Sequence, residues 1–291
     1  MQVIFHCGAH DTEENRLLTT LQRNNKRFRT VGAFVPEPDD FRPILRERLS
    51  ALDKDDSAGD EPGALWKTIL KDTPADRVIF SNPHFFGSRR RAVAPHLFYP
   101  EAELRLSELA KLFPYDQIEL FMCLRNPASL LPTLLKQANR QRREEILEEV
   151  DPYSLRWSEL VNRLRDNVPQ IPITVWCFED LPLIWAQIIR DISGMEMNDR
   201  IDGGMDLLAS IMTKEGMKRL RDYLGKHPEM TENHRRRVFA AFLDKFARDE
   251  EIEEEIDLPG WTAEMVDYLG ETYEEDIRLI EHIPGVTLIA P

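Results

Sequence analysis

The sequence has few cysteines and no pair at a ligand-like spacing. Its 291 residues include Cys7, Cys123 and Cys177, an odd number without a Cys-x-x-Cys arrangement. This pattern argues against a disulfide framework and against a structural zinc site. We therefore expect reduced, mostly buried thiols.

Long apolar runs are also lacking. No segment approaches the ~18 consecutive apolar residues that a membrane span needs. The first ten residues, MQVIFHCGAH, lack the basic region and long apolar core of a signal peptide. The sequence therefore predicts a soluble, cytoplasmic protein that does not bind a membrane.

Positive charge is in short supply as well. There are 38 Lys and Arg residues against 52 Asp and Glu, so the formal charge is −14, which excludes a protein that coats nucleic acid. The acidic excess is concentrated near the end: residues 251–291 carry 12 acidic residues and one basic residue, whereas residues 1–250 carry 40 and 37. The acidic C-terminal segment is either a solvated face or a surface for a protein partner.

Short β-rich apolar runs alternate with helical patterns over the first 180 residues. Near-continuous apolar runs suit strands that are covered on both faces, and their alternation with helices predicts an α/β fold with a mostly parallel central sheet and helices on both faces. The predicted strands are Val3–Cys7, Val31–Val35, Arg77–Ser81, Ile118–Leu124 and Ile173–Phe178. The predicted helices between them are Glu14–Asn25, Asp40–Leu49, Gly63–Lys71, Glu101–Leu112, Pro127–Glu149 and Pro152–Asn167.

The pattern becomes almost wholly helical after Phe178, and a short apolar end, Val286–Ala290, suits a last strand. The predicted helices of this part are Leu183–Ile192, Asp206–Leu224, Thr231–Asp249 and Thr262–Glu281. The one linker-like segment, 52–63, is typical of a solvated loop. We therefore predict a single domain over 1–291, with a sheet region at 1–181 and a mainly helical extension at 182–291.

The turn after the first strand carries a possible anion site. In open α/β sheets, ligands collect at the carboxyl ends of the strands, where helix N-termini favour anions. Gly8-Ala9-His10 at this turn resembles the bacterial sulfotransferases, whose loop of the form G-x-x-K-[ST]-G-[ST]-[ST] holds the 5′-phosphosulfate of 3′-phosphoadenosine 5′-phosphosulfate (PAPS). The resemblance implies that Gly8, Ala9, His10 and Thr12 contribute to cofactor binding.

The rest of this turn departs from the family pattern. Asp11 stands at the lysine, Glu13 at the internal glycine, and Glu14 and Asn15 at the two hydroxyl residues. A carboxylate ~4 Å from an anion costs about 4 kcal/mol at an effective dielectric constant of ~20. Arg16 or one of Arg89–Arg91 could replace the lysine. Alternatively, the acids are favourable charges in the first turn of a helix that Thr12 caps.

A second resemblance follows the strand Ile118–Leu124. It ends in Arg125-Asn126-Pro127, similar to the family's strand followed by Arg-[Asn/Asp/Arg]-Pro, and Thr133 lies eight residues after the arginine, where the family has a serine. The resemblance implies that Arg125 and Thr133 bind the 3′-phosphate of PAPS, for which a planar arginine fork is well suited. The alternative is an ion pair between Arg125 and Glu179 or Asp180.

Sulfuryl transfer needs a base, and two histidines are candidates. His10 and His84 each follow a predicted strand, and an imidazole near its free pKa of ~6.5 accepts a proton at neutral pH. Each is alternatively a plain surface or core residue. We expect no metal site, because His6, His10, Asp11 and Glu13 follow no known ligand spacing.

The resemblance thus implies transfer of a sulfuryl group from PAPS to a hydroxyl or amine acceptor, which is a small molecule or a carbohydrate. PAPS, or its product adenosine 3′,5′-bisphosphate, would be the cofactor. The acidic residues at the lysine and glycine positions support an alternative, a non-catalytic nucleotide-binding or scaffold protein that has lost transfer. A different phosphate-loop enzyme is disfavoured because the Gly-Lys-[Ser/Thr] element is missing.

Overall fold

The computed structural model describes residues 1–13, 15–52, 63–71, 73–252 and 261–291. The predicted loop at 52–63 lies almost wholly outside these residues. No helix among them is long and apolar enough to cross a membrane.

Six parallel strands form the central sheet, in the order β2-β3-β1-β6-β7-β8, and two short strands form a separate antiparallel hairpin, β4-β5. The strands are β1 (Gln2–His6), β2 (Ala33–Phe34), β3 (Arg77–Ser81), β4 (Val93–Ala94), β5 (Leu97–Phe98), β6 (Gln117–Leu124), β7 (Ile173–Cys177) and β8 (Val286–Ile289). All six predicted strands are confirmed, most of them within a residue or two at each end. The hairpin was not predicted, because strands of two residues carry no periodicity.

Thirteen α-helices lie in the described residues. They are α1 (Arg16–Phe28), α2 (Pro38–Leu52), α3 (Ala64–Leu70), α4 (Ala102–Leu112), α5 (Pro127–Gln137), α6 (Arg140–Glu149), α7 (Trp157–Asn167), α8 (Leu181–Ser193), α9 (Asp206–Ile211), α10 (Lys214–Lys226), α11 (Glu232–Phe246), α12 (Asp249–Ile252) and α13 (Ala263–Glu281).

Two helices predicted as continuous are each two helices. The segment 127–149 divides into α5 and α6 because the side chain of Asn139 accepts a hydrogen bond from the Arg142 N–H and so starts a new helix. The segment 206–224 divides into α9 and α10 because Thr213 caps the Gly216 N–H in the same way. Local capping residues outweighed an uninterrupted helical pattern in both segments.

Both faces of the sheet are covered by helices, as predicted. Neighbouring residues of β1 illustrate the alternation: Phe5 belongs to the core beneath α4, α5, α7 and α13, whereas Ile4 belongs to the core beneath α1 and α8. The fold class is therefore α/β, with a parallel central sheet between two layers of helices. This arrangement brings the carboxyl ends of β1, β3, β6 and β7 to one edge.

The helical C-terminal part returns to the sheet. Strand β8 pairs with β7 at the edge of the sheet, which confirms the predicted last strand. Helix α13 packs against α5 and α7. Part of the acidic segment, residues 253–260, lies outside the described residues.

Candidate functional site

The candidate site lies at the carboxyl edge of the sheet, where β1 and β6 are neighbours. Strand β1 leads through α1 to β2 on one side, and β6 leads through α5–α7 to β7 on the other. Such a reversal of direction opens a crevice between loops, which is where ligands bind in open α/β sheets. The loop after β1, the loop after β3 and the end of β6 meet at this crevice, where His10 contacts His84 and Arg125 contacts Asp11.

The backbone of the first loop stays paired with β6. The Ala9 N–H donates to the Cys123 carbonyl at 3.0 Å, the Cys123 N–H donates to the Gly8 carbonyl at 2.6 Å, and the His10 N–H donates to the Tyr99 hydroxyl at 2.8 Å. The N–H groups of Ala9 and His10, which would otherwise be able to bind a phosphate, are therefore already hydrogen-bonded within the protein. Gly8 has a φ of +96°, a backbone conformation that favours glycine, so the turn alone accounts for a glycine at this position.

Asp11, at the family's lysine position, is held inside the protein. Its side chain is 3% exposed, and its Oδ1 accepts hydrogen bonds from Arg89 at 2.6 Å and from Gln137 Nε2 at 3.1 Å. Burial raises the pKa of Asp11, and the positive charge of Arg89 opposes that rise. Arg89, one of the predicted lysine substitutes, thus neutralises Asp11.

Thr12 and Glu13 belong to a buried polar cluster beneath the loop. The Thr12 hydroxyl lies 2.8 Å from both the Ala9 carbonyl and Glu13 Oε2, so it serves the loop's own structure. His6 contacts Glu13 at 3.5 Å through Nε2 and Ser81 at 2.9 Å through Nδ1. This serine, histidine and carboxylate stand in the order of a hydrolytic triad, but each is only 3% exposed and is closed to substrate.

Helix α1 begins later than predicted, at Arg16. Its first turn contains no acidic residue, and its N-cap, Asn15, makes no side-chain capping bond. The expectation that the acids lie in a first turn capped by Thr12 is therefore wrong. The reason is an extra turn: Asp11 has a φ of +58°, and the Arg16 N–H donates to the Glu13 carbonyl at 2.9 Å. Glu14 lies outside the described residues.

Arg125 is buried at the end of β6, with 4% of its surface exposed. Its Nη1 donates to the Asp11 carbonyl, its Nε donates to Ser129 Oγ at 2.9 Å, and its guanidinium lies over the Phe178 ring at 4.4 Å. The Thr133 hydroxyl donates to the Ser129 carbonyl at 2.9 Å. Sequence reasoning missed Ser129, although its spacing of four residues from Arg125 places both near the start of α5.

The carboxylates proposed as alternative partners of Arg125 have other roles. Glu179 accepts the Asn126 N–H at 2.9 Å and the Tyr273 hydroxyl at 3.1 Å, so it ties the end of β6 to α13. Burial raises the pKa of Glu179, while these hydrogen bonds and then Arg125 oppose the rise. Burial, followed by the charge of Glu179, raises the pKa of Asp180 to about 6.

The two predicted base candidates meet in one hydrogen-bonded chain. His10 Nε2 lies 3.1 Å from His84 Nδ1, and His10 Nδ1 lies 2.9 Å from the Tyr99 hydroxyl. The Tyr99 oxygen also accepts the His10 backbone N–H at 2.8 Å, so Tyr99 holds His10 on one side of the ring and His84 contacts it on the other. His10 is buried and His84 is exposed.

Both histidines are neutral at neutral pH. Burial, followed by the charges of His84 and Arg89, lowers the pKa of His10 to about 3. Burial and then the charge of Arg42 lower the pKa of His84, against a backbone hydrogen bond at Gly87 that raises it. The pair therefore presents an exposed imidazole that is oriented by a buried neighbour.

A cavity of about 580 Å³ opens beside Arg125. Its lining includes Arg16 together with the carboxylates Glu13, Glu179 and Glu251. Its remaining walls are largely apolar and come from the β6 and β7 ends and from the C-terminal helices. Among the described residues that line it, acids outnumber cations.

No metal site emerges from the described residues, since they contain no group of three or more His, Cys, Asp or Glu side chains placed to hold an ion.

Comparison with known proteins gives only distant similarity. No protein-family model and no curated protein matches the chain. A crystal structure of retinol dehydratase with androsterone and the inactive cofactor PAP is 11% identical over 97% of this chain and 81% of that chain, with a TM-score of 0.28. A second retinol dehydratase structure, with retinol and PAP, is 12% identical over 100% of this chain and 83% of that chain, with a TM-score of 0.27.

A third similar structure comes from the PezAT chromosomal toxin–antitoxin system of Streptococcus pneumoniae. It is 15% identical over 60% of this chain and 68% of that chain, with a TM-score of 0.24. These TM-scores are too low for residue roles to be transferred from any of the three structures.

Proposed function

We propose that the protein is a sulfotransferase-like protein that binds a small-molecule ligand but has lost PAPS-dependent transfer. The observation that carries this proposal is the place of Asp11. It stands where the resemblance requires a lysine, it is buried, and it is paired with Arg89.

The 5′ side of the site does not fit a phosphosulfate group. The N–H groups of Ala9 and His10 are bonded within the protein, and the Asp11 and Glu13 side chains are buried in the same loop. Asp11 supplies no positive charge at the position where the family has its lysine. Arg89 cannot supply that charge freely, because it already neutralises Asp11.

The 3′ side fits only in part. Arg125 is of the right type and at the right strand end, but its guanidinium donates to the Asp11 carbonyl and to Ser129. The lining of the adjoining cavity includes the carboxylates Glu13, Glu179 and Glu251.

A second candidate function is sulfuryl transfer from PAPS to a hydroxyl or amine acceptor. The contact between His84 and His10 favours it, because in the tautomer in which His84 Nδ1 donates to His10 Nε2, the Nε2 atom of His84 has a free lone pair that can accept the acceptor's proton. In this candidate Arg125 and Thr133 would hold the 3′-phosphate.

Thermal unfolding with adenosine 3′,5′-bisphosphate distinguishes the two candidates. The proposal predicts no saturable rise in Tm up to millimolar ligand, because a ligand that does not bind the folded state does not stabilise it. A saturable rise at micromolar ligand that Arg125→Ala weakens would overturn the proposed loss of PAPS use and favour the second candidate.

The role given to Asp11 has its own test. Asp11→Lys restores the cation of the family loop, so it should convert a protein that does not bind the bisphosphate into one that does. Asp166→Lys, an equal charge change on the exposed side of α7, is the matched control and should leave binding absent. An Asp11→Lys protein that folds but binds no better than the control would contradict the explanation.

A further inference from the structure

A second cavity, of about 440 Å³, lies on the other side of His84, between α2, α4 and the loop after β3. Its volume is within the range of small-molecule sites. Phe41, Leu45 and Leu49 form one wall. They are spaced four residues apart, so they occupy one face of α2 and form an apolar strip along the cavity. Phe85 and Leu109 also belong to its lining.

The charged residues of this cavity are all cations. Arg42 and Arg46 come from α2 and Arg105 from α4, and the described lining residues include no carboxylate. Arg105 is compensated by Glu101 and Glu108 on its own helix. The Nε atom of Arg42, by contrast, is buried with no hydrogen-bond partner among the described residues. Arg42 lines the cavity and is only partly buried, so the outer N–H groups of its guanidinium can bind an external oxygen ligand there.

The cavity also reaches the histidine chain. His84 belongs to its lining and is at the same time bonded to His10. An apolar strip, two arginines on one helix and an exposed imidazole therefore border one space. In a protein whose formal charge is −14, this cationic lining is a local feature.

We propose that this cavity binds an amphiphilic small-molecule anion, whose apolar chain lies along the α2 strip and whose carboxylate-type head group is bound by Arg42 and Arg46 beside His84. Arginine forks bind carboxylates with two parallel hydrogen bonds, which accounts for the type of head group. That this anion is the functional ligand of the candidate site rests on the proposed function. That it binds in this cavity is independent of the proposed function.

Isothermal titration with decanoate tests the inference, with decanol as the probe that keeps the chain and removes the charge. Decanoate should bind saturably, and decanol should bind at least about tenfold more weakly, since hydrogen bonds between two charged groups are roughly twice as strong as neutral ones. Saturable binding with equal affinity for the two probes, or no binding of decanoate, would overturn the proposal.

Single-charge variants locate the site. Arg42→Gln should weaken decanoate binding about tenfold or more, and Arg46→Gln, at an exposed position that cannot disturb the core, should weaken it in the same direction. Arg140→Gln removes an exposed cation from α6 and is the matched control. Equal affinity in the Arg42, Arg46 and Arg140 variants would place any binding elsewhere and contradict the inference.

The result also separates this inference from the proposed function. Decanoate binding is measured without nucleotide, so its outcome does not depend on whether the protein binds PAPS. Micromolar binding of adenosine 3′,5′-bisphosphate would overturn the proposed loss of PAPS use, whatever decanoate does. Absence of decanoate binding would overturn the cavity assignment alone.

Discussion

At the scale of single residues, Asp11 is the centre of the contacts of the first loop. Arg89 from another loop supplies the charge that compensates its buried carboxylate. The Asp11 carbonyl in turn accepts a hydrogen bond from Arg125. The residue that would bind the 3′-phosphate is thereby drawn into the loop that would bind the 5′ side.

Burial of His10 in its neutral form predicts a pH dependence of stability. The folded pKa of about 3 lies below the unfolded value of ~6.5, so between these values the unfolded state binds more protons. The contribution of neutral His10 to the free energy of unfolding is fully present above pH ~6.5. As the pH falls from 7 to 5, this free energy should decrease by up to about 2 kcal/mol.

Urea unfolding of the wild type and of His10→Gln at several pH values measures this contribution. The difference between the two curves should shrink as the pH falls, because carboxylates contribute equally to both proteins and cancel. His227→Gln, at an exposed histidine, should give a curve parallel to the wild type. A His10→Gln curve parallel to the wild type would contradict neutral burial of His10.

At the scale of elements, helix α5 accommodates a proline through a contact with a distant residue. Pro132 lies inside the helix and has no N–H to offer the Ala128 carbonyl four residues earlier. That carbonyl accepts instead from the Trp261 indole N–H at 3.1 Å. The end of β6 is therefore followed by a continuous helix despite the proline.

A double-mutant cycle tests whether the Trp261 indole N–H replaces the backbone N–H that Pro132 lacks. Trp261→Phe should destabilise the wild type, since it leaves the Ala128 carbonyl without its donor. It should cost about 1 kcal/mol less in a Pro132→Ala background, where the introduced alanine supplies the N–H. Free energies of urea unfolding for the four proteins give the coupling, and strictly additive effects would show that the indole does not replace the missing bond.

Sequence reasoning located the elements well and the contacts between loops poorly. The strand β3, Arg77–Ser81, was predicted at its observed bounds because its apolar run coincides with burial. The contact of His10 with His84 joins residues 74 apart and follows from the parallel pairing of β1 with β3, a register that one sequence does not reveal. The pairing of Arg89 with Asp11 depends on the conformations of two loops. The sequence indicated it only through the opposite charges of the two residues.

At the scale of the whole molecule, the helical C-terminal part is bonded to the sheet region through Asp276. Its carboxylate accepts the backbone N–H groups of Trp157 and Ser158 at 2.6 and 3.2 Å, which caps the start of α7 from α13. The side chain is 2% exposed. A carboxylate at a helix N-terminus is favoured by the unpaired N–H groups and by the helix dipole.

This link predicts a large effect from an isosteric change. Asp276→Asn keeps the shape but removes the charge, so it should lower the free energy of unfolding by about 2 kcal/mol. Asp267→Asn, at an exposed position of the same helix, should change it by less than about 0.5 kcal/mol. Equal effects of the two substitutions in urea unfolding would contradict the capping role.

Charge is distributed unevenly over the molecule. The acidic excess lies mostly in residues 251–291, whereas the sheet-bearing part is nearly balanced. The charged residues that line the cavity beside Arg125 are mostly acids, whereas those that line the cavity beside His84 are cations. The two cavities should therefore bind ligands of different charge.

Parallel isothermal titrations of the wild-type protein with adenosine 3′,5′-bisphosphate and with decanoate test this account most directly. The account predicts saturable binding of decanoate and no binding of the bisphosphate up to millimolar concentration. Micromolar binding of the bisphosphate, abolished by Arg125→Ala, would show that the first loop opens to a nucleotide and would contradict the central claim.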